Sequence, residues 1–193
     1  MQKIFLLLTL ICLAANGGHA QTRNIEMATE RPGTIPCCRE EIKAIKAASK
    51  NPDIEKSDIK AFVDISPTGK HVKTAGSFGC FKREDGSYDN CDLYITEKLK
   101  VNLTGAELDA ILAHEIGHLI DQVPEVKLEH EYKADDFALA ALQKLGLDRR
   151  VLVSALKKLL IGEIFESEKD MTQIRARIER VESLLAAEKV IPR

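Results

Sequence analysis

The sequence predicts one α+β domain, and three observations predict it. Short β-type runs are confined to the first half of the chain. The pattern from Thr104 almost to the end is helical. A length of 193 residues at 45% hydrophobic content is enough for one buried core. No internal repeat or low-complexity segment breaks this plan. A formal charge of −2 and an aromatic content of 5% leave little to attract or stack on bases, so nucleic acid is not an expected partner.

Taken in order, the chain opens with Lys3, an apolar run over Ile4–Ala15 and a small-x-small site at Gly18-His19-Ala20. This reads as a signal peptide over residues 1–20, because the run is shorter than the roughly 20 apolar residues a bilayer span needs. The expected product is exported, periplasmic or secreted, with no transmembrane segment in the mature chain. Its oligomeric state is left open. Residues 21–35 read as a flexible arm and 36–193 as the domain. Within the domain, Arg39–Lys50 is a first helix with Ile42 and Ile45 on one side, and Ala61–Ser66 is a strand. His71–Phe81 is a second strand region, Glu84–Asn90 a solvated turn, and Asp92–Thr96 a strand that is a candidate edge for an extended peptide. Thr104 and Glu107 form a capping box opening a buried helix. After Pro124 a second helix runs to Leu145, followed by a core helix within Arg149–Phe165 and a charged, solvated helix over Glu166–Lys189.

Export changes the reading of the cysteines. Cys37, Cys38, Cys80 and Cys91 form an even set, which in an oxidising compartment favours disulfides. A Cys37–Cys38 bridge between neighbours would be strained, so each is expected to join Cys80 or Cys91, in one of two connectivities. A Cys80–Cys91 clip with the vicinal pair reduced is the alternative.

The chemistry is carried by His114-Glu115-Ile116-Gly117-His118 on the capped helix. Histidines at i and i+4 point the same way and can hold one zinc ion, and the adjacent Glu115 can carry a proton between water and substrate. The second helix has a seam of Leu128, Glu131, Asp135, Ala138, Leu142 and Leu145, with Glu129, Lys133, Asp136 and Lys144 mainly outside it. Two acids therefore occupy positions where the pattern demands apolar residues. Buried acids are costly unless paired or metal-bound. In an antiparallel hairpin turning at Pro124–Glu125, His118 faces Glu131 and His114 faces Asp135. Glu131 then completes a His₂Glu zinc site, and Asp135 orients His114 from its other ring nitrogen.

HEIGH followed by Glu131-x-x-Ala134-Asp135 resembles the HExxH…ExxAD signature of HtpX-like gluzincin metallopeptidases, over roughly Asp92–Leu184. Asp92–His118 resembles that family's strand, loop and active-site helix, and Gln173–Leu184 its late helix. The resemblance implies a zincin-like fold in which the HExxH helix packs on the ExxAD helix beside a small sheet, with further helices following. It also implies His114, His118 and Glu131 as ligands of one zinc ion per chain, Glu115 as catalytic base and Asp135 as the residue supporting His114. The chain departs from the pattern in three places. Only 12 residues separate His118 from Glu131, a spacing closer to ImmA/IrrE-type metallopeptidases. The membrane helices of many relatives have no counterpart, and Ser167–Thr172 replaces the usual His-Pro-Ser stretch.

Three protein ligands leave one position for water, the arrangement of a catalytic zinc site. The expected activity is that of a metalloendopeptidase acting on protein or peptide substrates. Glu115 takes a proton from the attacking water and passes it to the leaving amine. Tyr132, His130, His71 and Tyr94 are candidates for the donor that steadies the oxyanion. The rival readings are a zinc-holding, protease-shaped binding or chaperone module with little catalysis, and a disulfide-stapled interaction protein without metal.

Overall fold

The computed structural model describes residues 33–65, 75–78, 80–120, 127–161 and 168–188. The signal-peptide reading, most of the expected arm, His71 and the Pro124 turn lie outside them. The described part is α+β and mostly helical, with a small mixed sheet. Its first elements are strand β1 (Thr34–Cys37), helix α1 (Arg39–Ser49), helix α2 (Pro52–Lys56) and strand β2 (Ile59–Asp64). Strands β3 (Ala75–Phe78), β4 (Phe81–Lys82), β5 (Tyr88–Asp89) and β6 (Cys91–Thr96) follow. The remainder is helical: α3 (Glu97–Asn102), α4 (Gly105–Ile120), α5 (Leu128–Lys144), α6 (Arg150–Ile161) and α7 (Glu168–Glu188). Among the described residues, no helix is long and apolar enough to cross a membrane.

The four-stranded sheet has the order β1-β2-β6-β3, with β2 and β6 parallel and both outer strands antiparallel to their neighbours. Two expectations change here. Thr34 and Ile35, expected at the end of a flexible arm, are the first residues of β1. Pro36 is tolerated because β1 lies at an edge, where a missing N–H breaks no second ladder. The Asp92–Thr96 strand is not an edge. Five successive residues, Cys91–Ile95, are buried, which marks a strand covered on both faces, and β6 lies between β2 and β3.

The disulfide expectation is also corrected. Cys80 is bonded to Cys91, whereas Cys37 and Cys38 are free thiols. The sheet explains the outcome. Cys37 lies opposite Ala61 of β2, and Ala61 lies opposite Leu93 of β6, so a whole strand separates Cys37 from the strand bearing Cys91. Two strand spacings are about 10 Å, beyond the roughly 7 Å that a disulfide spans. Cys80 instead meets Cys91 at a Cα–Cα distance of 4.3 Å, closing the base of the β4–β5 hairpin.

Local chemistry sets the helix starts. Pro52 stands in the first turn of α2, where its missing N–H costs nothing, and Asn51 Oδ1 accepts from the N–H groups of Asp53 and Ile54. Thr96 caps α3 through the N–H of Leu99. Neither of these short helices has enough length to show an apolar period. The capping box of α4 forms as expected: Thr104 N–H donates to Glu107 at 2.7 Å and Glu107 N–H donates to Thr104 Oγ1 at 3.3 Å.

Glu107 does more than cap. Its buried carboxylate also accepts from Lys158 Nζ at 2.6 Å and from the Ser154 hydroxyl, fastening α6 to the start of α4. Burial works against its charge, but the bonds from Lys158, Ser154 and Thr104 outweigh burial and hold its pKa down to about 2. A depressed folded-state pKa contributes stability that is present above the unfolded value near 4.5 and is lost as pH falls toward 2. Glu107→Gln should therefore cost about 3 kcal/mol at neutral pH and flatten the loss of stability between pH 4.5 and pH 2. Denaturant titrations across that range measure it.

Helices α4 and α5 lie against each other at Gly117 and Ala134. A Cβ on Gly117 would stand 2.9 Å from Ala134 Cα, 3.1 Å from its carbonyl oxygen and 3.2 Å from Phe137 Cβ. Two of those neighbours are backbone atoms, which cannot swing aside. Gly117→Val should push the helices apart, lowering stability by about 3 kcal/mol and weakening any metal held between them. Thermal unfolding and metal titration of the variant test both effects.

Candidate metal centre

The close approach at Gly117 brings the polar residues of α4 and α5 into reach of one another. His114 Nε2 lies 3.0 Å from His118 Nε2 and 3.2 Å from Glu131 Oε2. His118 Nε2 lies 3.4 Å from Glu131 Oε1. The other nitrogen of His114, Nδ1, is 2.9 Å from Asp135 Oδ1. The pairings expected from the hairpin register, His118 with Glu131 and His114 with Asp135, are thus both present. The rest of the α5 pattern also follows the seam. Ala134, Asp135, Ala138 and Leu142 are buried, and Glu129, Lys133, Asp136 and Lys144 are exposed.

His114, His118 and Glu131 form a group able to hold a metal ion, their ligand atoms all lying within 4.8 Å of one another. The geometry suits a small cation. Ligand atoms about 2.1 Å from a tetrahedral ion stand roughly 3.4 Å apart; the two imidazole nitrogens are 3.0 Å apart, and one Glu131 oxygen lies 3.2 Å from His114 while the other lies 3.4 Å from His118. Nδ1 of His114 donates to Asp135, so Nε2 is the nitrogen turned toward the other two groups, and it would give up its proton to a metal ion.

A residue with no role assigned from the sequence completes the cluster. Arg177 of α7 is 6% exposed, and its guanidinium donates to Asp135 at 2.7 and 3.0 Å and to Glu131 at 2.7 Å. Its Nη2 is almost equidistant from the two ring nitrogens of His114, at 3.1 and 3.2 Å. An atom so placed cannot lie in the plane of either lone pair. It stacks over the ring and leaves Nε2 free. One signal for Arg177 was present in the sequence: it stands among Ile174, Ile178 and Val181, which are buried on α7, so a charge interrupts an apolar face. The same interruption on α5 marks Glu131 and Asp135.

Electrostatically, two carboxylates face one guanidinium, and in the metal-free cluster a protonated His114 balances the second carboxylate at neutral pH. Burial opposes ionisation of Glu131, but the hydrogen bond with His114 and the charge of Arg177 bring its pKa down to about 2. Asp135, 0% exposed, is held well below the usual carboxylate range by Arg177 and His114 despite its burial. Burial and Arg177 press the His114 pKa down, yet hydrogen bonds with Asp135 and Glu131 prevail and lift it to about 9. Burial and the neighbouring His114 lower His118 to about 4. Glu115, on the same helix and 9% exposed, has its pKa raised, mainly by burial. A buried carboxyl displaced in that direction binds a proton more readily at neutral pH, as a proton carrier must.

Three of the oxyanion candidates fall within the described residues. Tyr94 is fully buried in the sheet, stacked on Phe62, with its hydroxyl 3.4 Å from Asp92. The Tyr132 ring lies beneath the Arg180 guanidinium at 4.7 Å. His130 Nδ1 accepts the N–H of Lys127 where α5 begins. Each has a structural partner of its own.

Arg177→Met should leave Glu131 and Asp135 buried without their counter-charge and cost about 3 kcal/mol in the metal-free protein. The loss should be smaller once a cation is bound, because the cation takes over the neutralisation of Glu131. Denaturant unfolding with and without metal measures the difference. No family model and no curated protein matches the chain.

Proposed function

We propose that this protein is an exported zinc metalloendopeptidase with a zincin-like arrangement of sheet and active-site helices. The observation that carries the reading is the meeting of His114, His118 and Glu131 within 4.8 Å, with Glu115 next in sequence to the first ligand. Zinc is favoured by the donor set, two imidazole nitrogens and one carboxylate oxygen, which leaves a fourth position open. When bound, zinc supplies Lewis acidity toward a peptide carbonyl and acidifies water. Glu115 removes the proton of the attacking water and returns it to the leaving amine. Asp135 fixes the tautomer and orientation of His114, and Arg177 holds both carboxylates in place. The described edge strand beside α4 is β3, and an extended protein substrate would add to it through main-chain hydrogen bonds. Export rests on the signal-like pattern of residues 1–20.

The test is cleavage of an unfolded protein by the purified chain. Cleavage should stop with a chelator and return when zinc is added. A zinc-replete protein that leaves the substrate intact would overturn the enzymatic reading in favour of a zinc-holding binding module.

A further inference from the structure

The vicinal thiols are left over from both the fold and the proposed zinc chemistry. Cys37 ends β1, and Cys38 is the residue from which α1 starts, at a left-handed φ of 62°. Both are free and half-buried, and their side chains hydrogen-bond to each other. Cys80 and Cys91 are already joined, so among the described cysteines the pair has only itself to react with.

We propose that Cys37 and Cys38 form a thiol–disulfide exchange site that accepts the disulfide of a low-molecular-weight thiol, with Cys38 attacking and Cys37 resolving. In the first step, Cys38 sulfur bonds to one sulfur of the incoming disulfide, the S–S bond breaks, and one thiolate leaves. In the second, Cys37 gives up its proton and attacks Cys38 sulfur, and the second small thiolate leaves. Two electrons pass from the pair to the disulfide, which ends as two small thiols.

The division of roles follows from local structure. Cys38 is the N-cap residue of an 11-residue helix, whose positive dipole end favours a thiolate beside it. The hydrogen bond with Cys37 also favours the Cys38 thiolate, against burial and the charges of Glu41 and Asp109, and with help from Lys100. The same hydrogen bond, together with burial, pushes the Cys37 thiol up. A disulfide between adjacent residues is strained and therefore readily reduced, which makes the exchange reversible.

The experiment treats the purified full-length chain, with Cys80–Cys91 intact, with glutathione disulfide, followed by acid quenching and peptide mapping by mass spectrometry. The wild type should lose both thiols to a Cys37–Cys38 bond without retaining glutathione. Cys37→Ser should stop at one glutathione on Cys38, and Cys38→Ser should react roughly tenfold more slowly. Equal rates in the two variants, glutathione retained at Cys37 or Cys38 of the wild type, or Cys37 and Cys38 thiols that stay free would each overturn the proposal. Circular dichroism checks that the variants fold, and if one does not, the wild-type map alone decides between a closed pair and none.

Discussion

Replacing Glu115 by Gln should leave zinc binding intact and lower peptide cleavage by about a thousandfold, the range expected when a general base is removed. The amide has the same shape but accepts no proton at neutral pH. The zinc content should hold because His114, His118 and Glu131 are untouched. The fold should hold as well, because burial already works against a charge at this position. Metal analysis and cleavage rates, measured on the same preparation, separate the two effects. Full activity in a zinc-replete variant would mean that the proton carrier has been misassigned.

The second large effect concerns the third ligand. Glu131→Ala should abolish stable zinc binding, whereas Asp135→Asn should weaken it by roughly 10–100-fold. The geometry separates the two acids. Glu131 reaches toward Nε2 of both histidines, at 3.2 and 3.4 Å, while Asp135 contacts His114 on its far nitrogen at 2.9 Å. Glu129→Ala is the control: this side chain is exposed, and its loss should leave zinc affinity nearly unchanged. Competition with a chromophoric chelator gives the three affinities. Loss of metal in the Glu129 variant alone would contradict the assignment of Glu131.

The long helices and the pairings between them were legible because amphipathic period and capping are local properties. The acids on the α5 seam could be placed opposite the histidines from spacing alone, since two helices of regular rise, joined by a short turn, leave little freedom of register. Arg177 was harder to assign. It lies 42 residues beyond Asp135, and no spacing rule brings a third helix to a named depth. The vicinal cysteines failed for a similar reason. An even number of cysteines suggests pairing, but only strand order shows that β2 separates Cys37 from β6. The apolar run Leu93-Tyr94-Ile95 was visible in the sequence, but a short strand read alone does not say which strands flank it, and so it stood as a candidate edge. Asp92 is in fact buried.

The guanidinium of Arg177 has a consequence for the order of events during synthesis. A ribosome delivers the two histidines first and the two acids soon after, and then must add 42 more residues before the cation that binds Asp135 exists. In that interval Glu131 and Asp135 have the two histidines as partners but not the guanidinium, so the α4–α5 hairpin is expected to dock less firmly. The arrival of α7 closes it. The cluster is thus drawn from the front of the chain and braced from behind, and a polypeptide truncated before that helix is expected to keep all three candidate ligands while holding them less rigidly.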